Sequence, residues 1–288
     1  MEKEKQENTE NILIPNQERL DSLLKQFKEG GKDKIHVLAD FDRTLTKAFV
    51  DGQKSSTIFA QIRNLGYLGN DYVKQAHQLF DTYHPIEISS SIPLEEKKQK
   101  MHEWWKKHFN LIIEKGLSRQ IIEEIVAKGG IEFRKGINEF LDILKDNQIP
   151  LVILSSSGMA DAIPMYFAKI NRNYNNIHVV GNFFEFDKQG KVVAVKEPMI
   201  HILNKKEITL EKLPAYSQLL KRKNVILLGD NIADIDMIEG FAYDNLIKIG
   251  FLNENIEENL PEFKKNFDAI ILNDGEMGFV NKLLKEII

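Results

Sequence analysis

Two aspartates, Asp40 and Asp42, stand directly after the short apolar run Ile35–Ala39. In a β-strand alternate side chains point the same way, so both carboxylates would face one side while Phe41 faces the core. Two carboxylates about 4 Å apart repel by roughly 4 kcal/mol at an effective dielectric constant near 20. A divalent cation that prefers oxygen ligands would offset this repulsion. The pair indicates a metal-assisted site, although by itself it also fits a turn in which one carboxylate caps a helix.

Polar residues that could bind an anion or a cation lie near the ends of other apolar runs. Ser155 and Ser156 end one run and offer hydroxyl and backbone N–H groups to an anion. Asp230 and Asp234 follow another run and add two carboxylates. Lys205, upstream of that run, offers a cation. Each feature alone also fits a helix cap or a solvated side chain, but their order along the chain favours one shared site.

The elements that must position these residues are short apolar runs alternating with helical segments. Continuous apolar strands are typical of a parallel sheet covered by helices on both faces. In such sheets ligands bind beyond the carboxyl ends of the strands, which is where the residues above lie. The predicted strands are 35–39, 151–154, 177–180, 225–228, 246–249 and 269–272, the helices around them are 20–27, 136–145, 211–223 and 277–287, and a hairpin is predicted at 183–195.

The interval 47–130 breaks this alternation, because it shows four helical stretches and no convincing strand. The stretches are 55–68, 71–83, 94–115 and 118–128. We therefore predict an α/β fold, a Rossmann-like doubly wound parallel sheet with an inserted helical cap. Residues 31–47 and 131–288 form the predicted catalytic core and residues 48–130 the cap. The tail and helix of residues 1–30 fit either part.

Composition narrows the class of protein. The 288 residues carry a formal net charge of −4, 42 % of them are hydrophobic, and none is cysteine. The lack of cysteine excludes disulfides, thiolate metal sites and a cysteine nucleophile. The acidic balance gives no basis for binding a nucleic acid polymer or an anionic membrane. No apolar stretch approaches the ~20 residues of a membrane span, and the charged N-terminus lacks a secretory pattern, so we expect a cytoplasmic protein.

The order of these motifs resembles the four motifs of the haloacid dehalogenase superfamily of phosphotransferases, from about residue 35 to the C-terminus. Within that superfamily the chain resembles the cytosolic pyrimidine 5′-nucleotidase (type III) family. The matching segments are Asp40-Phe41-Asp42-x-Thr44, Ile86-Glu87, Met101-x-Glu103-Trp104, Asn182-Phe183, Ile200-His201-x-x-Asn204-Lys205, Gly229-Asp230-x-x-x-Asp234 and Lys248-Ile249-Gly250-Phe251. The resemblance implies the haloacid dehalogenase fold with a helical cap. It also implies hydrolysis of nucleoside 5′-monophosphates, with pyrimidine nucleotides preferred and 7-methyl-GMP as a further candidate.

The resemblance implies a mechanism as well. Asp40 would attack phosphorus and form an aspartyl-phosphate. Asp42 would protonate the leaving oxygen and later deprotonate the hydrolytic water. Mg²⁺ would be held by the Asp40 carboxylate, the Asp42 backbone carbonyl and Asp230, while Asp234 supports these ligands from behind.

Substrate contacts are implied on both the core and the cap. Ser155, Ser156 and Lys205 would neutralise the phosphoryl oxygens; Lys196 and Lys206 compete for the lysine role, but the Ile-His-x-x-Asn-Lys match favours Lys205. In the cap, Glu87 matches the glutamate that reads the edge of the base in the family, and His108 is a further candidate contact. Trp104 and Trp105 fit either stacking on a base or packing within the cap.

Two other functions fit the same motifs. One is a phosphatase of small metabolites, such as phosphoserine, on the same fold. The other is a non-catalytic module that binds phosphate, which the complete set of catalytic residue types disfavours. The order of preference in a panel of phosphate esters distinguishes the three.

Overall fold

The computed structural model describes residues 11–89, 91–205, 215–239 and 242–288. Numbered along the chain, the strands are β1 (Ile12–Leu13), β2 (Ile35–Ala39), β3 (Phe49–Val50), β4 (Gln53–Lys54), β5 (Leu151–Leu154), β6 (Ile177–Val180), β7 (Phe184–Phe186), β8 (Val192–Val195), β9 (Asn224–Gly229), β10 (Asn245–Leu252) and β11 (Ala269–Leu272). The α-helices are α1 (Gln17–Gly30), α2 (Ile58–Asn64), α3 (Gly69–Ile88), α4 (Leu94–Glu114), α5 (Arg119–Lys128), α6 (Ile137–Asp146), α7 (Ala162–Lys169), α8 (Tyr216–Leu219), α9 (Ile256–Asn266) and α10 (Gly278–Ile287).

The core is a seven-stranded sheet in the order β1-β11-β10-β9-β2-β5-β6. Every pairing is parallel except that of β1 with β11. All residues of β2, β5 and β9 are buried, and alternate residues enter different apolar clusters, Val37 one and Leu38 the other. Burial on both faces explains why these strands are apolar throughout. The predicted α/β sheet and the hairpin, formed by β7 and β8, are confirmed.

The interval predicted as a helical insertion contains α2 to α5, each overlapping a predicted helix. The prediction that it contains no strand is wrong, because β3 and β4 pair as a short antiparallel hairpin. Asp51 and Gly52 form its turn, both with positive φ (49° and 76°). Asp-Gly is a strong hairpin signal, but strands of two residues are too short to show an alternating pattern.

Residues 11–30, the described part of the segment that fits either the core or the cap by sequence, pack on the sheet rather than on the insertion. Helix α1 contacts β10 and α10 and buries Leu20, Leu23 and Phe27. Strand β1 extends the sheet beside β11. The predicted helix 211–223 lies partly outside the described residues, and its described part contains only α8. No described helix is long and apolar enough to cross a membrane.

Candidate active site

The ends of three neighbouring strands bring the predicted catalytic residues together. Strand β2 lies between β9 and β5, with Ala39 paired to Leu228 on one side and to Ile153 on the other. The next residue, Asp40, donates its backbone N–H to the Leu228 carbonyl at 3.0 Å. Ser155 follows β5 and Asp230 follows β9. Phe41, as predicted, turns into the core and is fully buried.

Three carboxylates form a tight group at this edge. One oxygen each from Asp40, Asp230 and Asp234 lie within 4.8 Å of one another. Lys205 Nζ donates to Asp40 Oδ1 and, at 3.0 Å, to Asp234 Oδ1. Its side chain is 2 % exposed, so the lysine is buried with the acids that it neutralises.

The charges of this group are not balanced by the lysine alone. Burial raises the pKa of Asp40 to about 7 even though Lys205 acts in the opposite direction. Burial, with repulsion from Asp234 and Asp40, raises the pKa of Asp230 well above its ordinary value. Burial by itself would lower the pKa of Lys205, but the carboxylates of Asp234 and Asp40 raise it overall. An all-oxygen site with excess negative charge fits a hard divalent cation such as Mg²⁺.

Asp234 holds the backbone of the loop that carries Asp230. Its Oδ2 accepts hydrogen bonds from the backbone N–H groups of Asp230, at 3.1 Å, and Asn231, at 3.0 Å. Asn231 in turn caps the short 3₁₀-helix Ile232–Ile238. With its other oxygen on Lys205, Asp234 fixes the loop that carries Asp230.

Asp42 stands apart from the carboxylate group. Its Oδ1 accepts the backbone N–H of Ile58 at 3.1 Å, at the N-terminus of α2, so the first helix of the insertion contacts this acid. Burial raises its pKa to about 6.

A cavity of about 280 Å³ opens onto these residues. We call it the acidic cavity; its lining includes Asp40, Asp42, Ser155, Ser156, Lys205 and Asp230. The Ser155 hydroxyl accepts the backbone N–H of Ser157 at 3.1 Å. Of the competing lysines, Lys196 is exposed and Lys206 lies outside the described residues.

Asn182 connects two loops, a role that the sequence analysis missed. One is the serine loop, residues 155–158 after β5, and the other, residues 199–205, carries Lys205. Its amide nitrogen donates to the carbonyls of Ser157, at 3.2 Å, and Ile200, at 2.8 Å. Its oxygen accepts the backbone N–H of Ile200 at 2.8 Å. The Asn182-Phe183 match pointed to the residue but not to this task.

Arg134 is the other missed residue, and it holds the backbone that follows Asp42. Its guanidinium donates to the carbonyls of Arg43 and Thr44 and, at 2.9 Å, to Asp274 Oδ1. Asp274 also accepts the backbone N–H groups of Ala48, at 2.8 Å, and Phe49, at 3.0 Å. Arg134 and Asp274 thereby connect the backbone that follows Asp42 to the start of the insertion.

We expect Arg134→Met to lower the free energy of unfolding by about 3–5 kcal/mol, because it removes the buried cation paired with Asp274 and the donor to the carbonyls of Thr44 and Gly275. Denaturant unfolding measures the change. Arg172→Met, which removes a bidentate pair with Asp142 near the surface, should lower the free energy of unfolding far less, because solvent screens an exposed ion pair. Equal losses in the two variants would contradict the assignment.

A second cavity, of about 400 Å³, lies beside the first and shares Arg43, Thr57, Phe59 and Trp105 with it. We call it the aromatic cavity, because its lining includes Phe59, Tyr72, Phe80, Trp104 and Trp105. His108 also lines it, with Nε2 3.1 Å from the Tyr72 hydroxyl. Both tryptophans therefore face a cavity and pack on neighbouring rings as well.

Glu87 does not line either cavity. It lies two helical turns beyond Phe80 on α3, and its Oε2 is 3.0 Å from His84 Nδ1. The His84 ring stacks on Phe80, with 4.6 Å between the ring centroids. The structure thus connects Glu87 to the wall of the aromatic cavity through His84 and Phe80, without direct contact.

Known proteins resemble this chain along nearly its whole length. The model of the pyrimidine 5′-nucleotidase (UMPH-1) family matches residues 43–288. A 7-methylguanosine phosphate-specific 5′-nucleotidase from Gallus gallus is 32 % identical over 278 residues, covering 96 % of each chain. The crystal structure of cytosolic 5′-nucleotidase IIIB bound to cytidine superposes with a TM-score of 0.87 at 28 % identity, covering 97 % of this chain and 94 % of that one.

More distant structures share the fold. A probable phosphoserine phosphatase from Vibrio cholerae superposes with a TM-score of 0.55 at 12 % identity, covering 89 % of this chain and 66 % of that one. At this identity the likeness shows the architecture alone. The family match, in contrast, includes the segments that carry Ser155, Lys205 and Asp230. The chain belongs to the pyrimidine 5′-nucleotidase (UMPH-1) family.

Proposed function

We propose that the chain is a Mg²⁺-dependent 5′-nucleotidase that hydrolyses nucleoside 5′-monophosphates with a pyrimidine or 7-methylguanine base. The observation that carries the proposal is the contact of buried Lys205 with Asp40 on the wall of the acidic cavity, beside a cavity lined by aromatic rings. The acidic cavity would take the phosphate and the aromatic cavity the nucleoside. Relatives named cytosolic support a cytoplasmic location.

In the first half of the reaction, an Asp40 carboxylate oxygen attacks phosphorus in line, and the bond from phosphorus to the ribose 5′-oxygen breaks. Asp42 gives its proton to that leaving oxygen. In the second half, Asp42 takes a proton from water, whose oxygen attacks phosphorus and releases Asp40 as a carboxylate. Lys205 and the N–H groups of the serine loop hold the phosphoryl oxygens throughout.

The carboxylates of Asp40 and Asp230, with the Asp42 carbonyl, would hold the metal. When bound, the ion neutralises phosphoryl charge and the mutual repulsion of the acids. Asp234 keeps Asp230 in place through the backbone hydrogen bonds described above. Support for this assignment comes from the all-oxygen donor set and the raised pKa of two of its members.

The test is phosphate release from CMP, UMP, AMP, 7-methyl-GMP and phosphoserine, with Mg²⁺ and with EDTA. We expect release to need the metal and to be fastest from a pyrimidine or 7-methylguanine nucleotide. Preference for phosphoserine would retain the chemistry and reject the nucleotidase. No release from any ester would reject catalysis.

We expect Glu87→Ala to raise KM for nucleotides by about tenfold and to flatten the preference among bases. The reason is that Glu87 is proposed to act, through His84 and Phe80, on the part of the site that binds the base. Hydrolysis of ribose 5-phosphate, which has no base, should not change. Steady-state kinetics on the two substrates measure both effects. Parallel loss on both substrates would instead assign Glu87 and its His84 contact to the stability of α3.

A further inference from the structure

The aromatic cavity has an excess of positive charge. Among the described residues its lining includes Arg43, Lys54 and Arg63 but no acidic residue. Glu254 pairs with Lys54, whereas Arg43 also lines the acidic cavity, where its charge acts on Asp42 and Asp230. This leaves the third cation to be accounted for.

Arg63 has no such partner among the residues that the structure describes. The ion pairs made by arginines in the described part of the chain involve Arg19, Arg43, Arg134 and Arg172. Arg63 Nε is buried and has no hydrogen-bond acceptor among the described residues. An unpaired buried donor on a guanidinium is costly, so a bound molecule that supplies an acceptor would be stabilised there.

His108 and Tyr72 form a polar pair on the wall of the aromatic cavity, but the pair does not offset the charge of Arg63. His108 Nε2 and the Tyr72 hydroxyl are 3.1 Å apart, and both residues are buried. Burial, and after it the charge of Arg63, lower the pKa of His108 to about 4. His108 is therefore neutral at neutral pH, and Arg63 remains the uncompensated charge.

We infer that Arg63 determines which base is accepted: its guanidinium donates to carbonyl oxygens of a neutral base and repels a base that carries positive charge. The inference rests on the proposed nucleotidase function and narrows it to pyrimidine nucleotides. Uracil and cytosine present carbonyl acceptors, whereas the 7-methylguanine ring is a cation in mildly acidic solution. The aromatic rings would attract such a cation, but repulsion between two full charges in one cavity outweighs a cation–π contact.

This preference is opposite to the one in the name of the relative from Gallus gallus, which specifies 7-methylguanosine phosphate. The preference can be measured as a ratio of kcat/KM values. A ratio of kcat/KM values within one preparation is independent of the fraction of folded enzyme. It therefore separates recognition from a loss of stability.

The experiment compares kcat/KM for UMP, GMP, 7-methyl-GMP and ribose 5-phosphate in mildly acidic buffer, with wild type, Arg63→Gln and Arg63→Lys. We expect the wild type to prefer UMP to 7-methyl-GMP by about tenfold or more. Arg63→Gln should raise the value for 7-methyl-GMP relative to UMP by about tenfold, with a smaller change for GMP, whose base is uncharged. Arg63→Lys keeps the charge and should keep the wild-type preference.

Lys74→Gln is the matched control, because it removes one positive charge from the exposed side of α3, outside both cavities. It should leave every ratio unchanged. Nucleotide hydrolysis with the same ratios in Arg63→Gln as in wild type would overturn the role of Arg63 and leave the nucleotidase standing. Hydrolysis of phosphoserine but of no nucleotide would overturn both proposals.

Discussion

We expect Asp40→Asn to lower kcat for phosphate release by about 10⁴-fold or more, because asparagine keeps the shape of the side chain but cannot act as the carboxylate nucleophile. The fold should survive the change. Burial already raises the pKa of Asp40 to about 7, so removing its charge relieves a desolvation cost. Steady-state phosphate release from UMP with Mg²⁺ measures the effect.

A second readout tests the covalent step itself. After rapid acid quenching, wild-type enzyme should retain labelled phosphoryl groups from the substrate, and the Asp40→Asn variant should retain none. Asp81→Asn makes the same chemical change at an exposed position on α3 and should retain both activity and labelling. Normal turnover by Asp40→Asn would exclude Asp40 as the nucleophile.

We expect Lys205→Met to lower kcat by about 10²- to 10³-fold, because the phosphoryl oxygens lose a buried cation in the transition state. The substitution should also lower the free energy of unfolding, measured with EDTA, by about 3–5 kcal/mol, since Asp40 and Asp234 stay buried without their partner. Both losses are expected together, because the same ammonium group serves both purposes.

The stability loss in Lys205→Met should depend on pH. A carboxyl whose pKa is raised in the folded state destabilises the fold increasingly as pH rises towards that pKa. With Lys205 present the pKa of Asp40 is raised to about 7; without it we expect a further rise. The difference from wild type should therefore be largest above pH 7 and become smaller as pH falls below it.

Lys196→Met is the matched control, since it removes an exposed lysine that competed for the same role in the sequence. Lys196→Met should leave the free energy of unfolding nearly unchanged and kcat within a factor of about two of the wild-type value. A loss of activity in Lys196→Met, with Lys205→Met unaffected, would transfer the lysine role to Lys196.

Local sequence patterns determined most of the architecture that supports the site. Strands β2, β5 and β9 were predictable because a strand buried on both faces must be apolar at consecutive positions. The positions of Asp40, Ser155 and Asp230 followed, since parallel strands end at the same edge. The hairpin of β3 and β4 was also encoded locally, by Asp51-Gly52, but its strands were too short to be noticed.

Tertiary structure decided the partners of charged and polar groups. Nothing near Lys205 in the sequence shows that it is buried against Asp40, 165 residues away. Arg134 reaches Asp274 across 140 residues, and α1 packs on the core although its amphipathic pattern would suit the cap equally. Periodicity reports which face of an element is buried, but not which element covers it.

For the same reason, sequence patterns indicate the chemistry of this protein but not its choice of substrate. The residue types and their order along the chain indicated one shared site for an anion and a metal ion, and the resemblance to the haloacid dehalogenase superfamily indicated phosphoryl transfer at that site. The unpaired charge of Arg63 and the connection of Glu87 to Phe80 through His84 emerged only in three dimensions. Desolvation and charge pairing depend on which distant side chains share a cavity, and no local pattern records that.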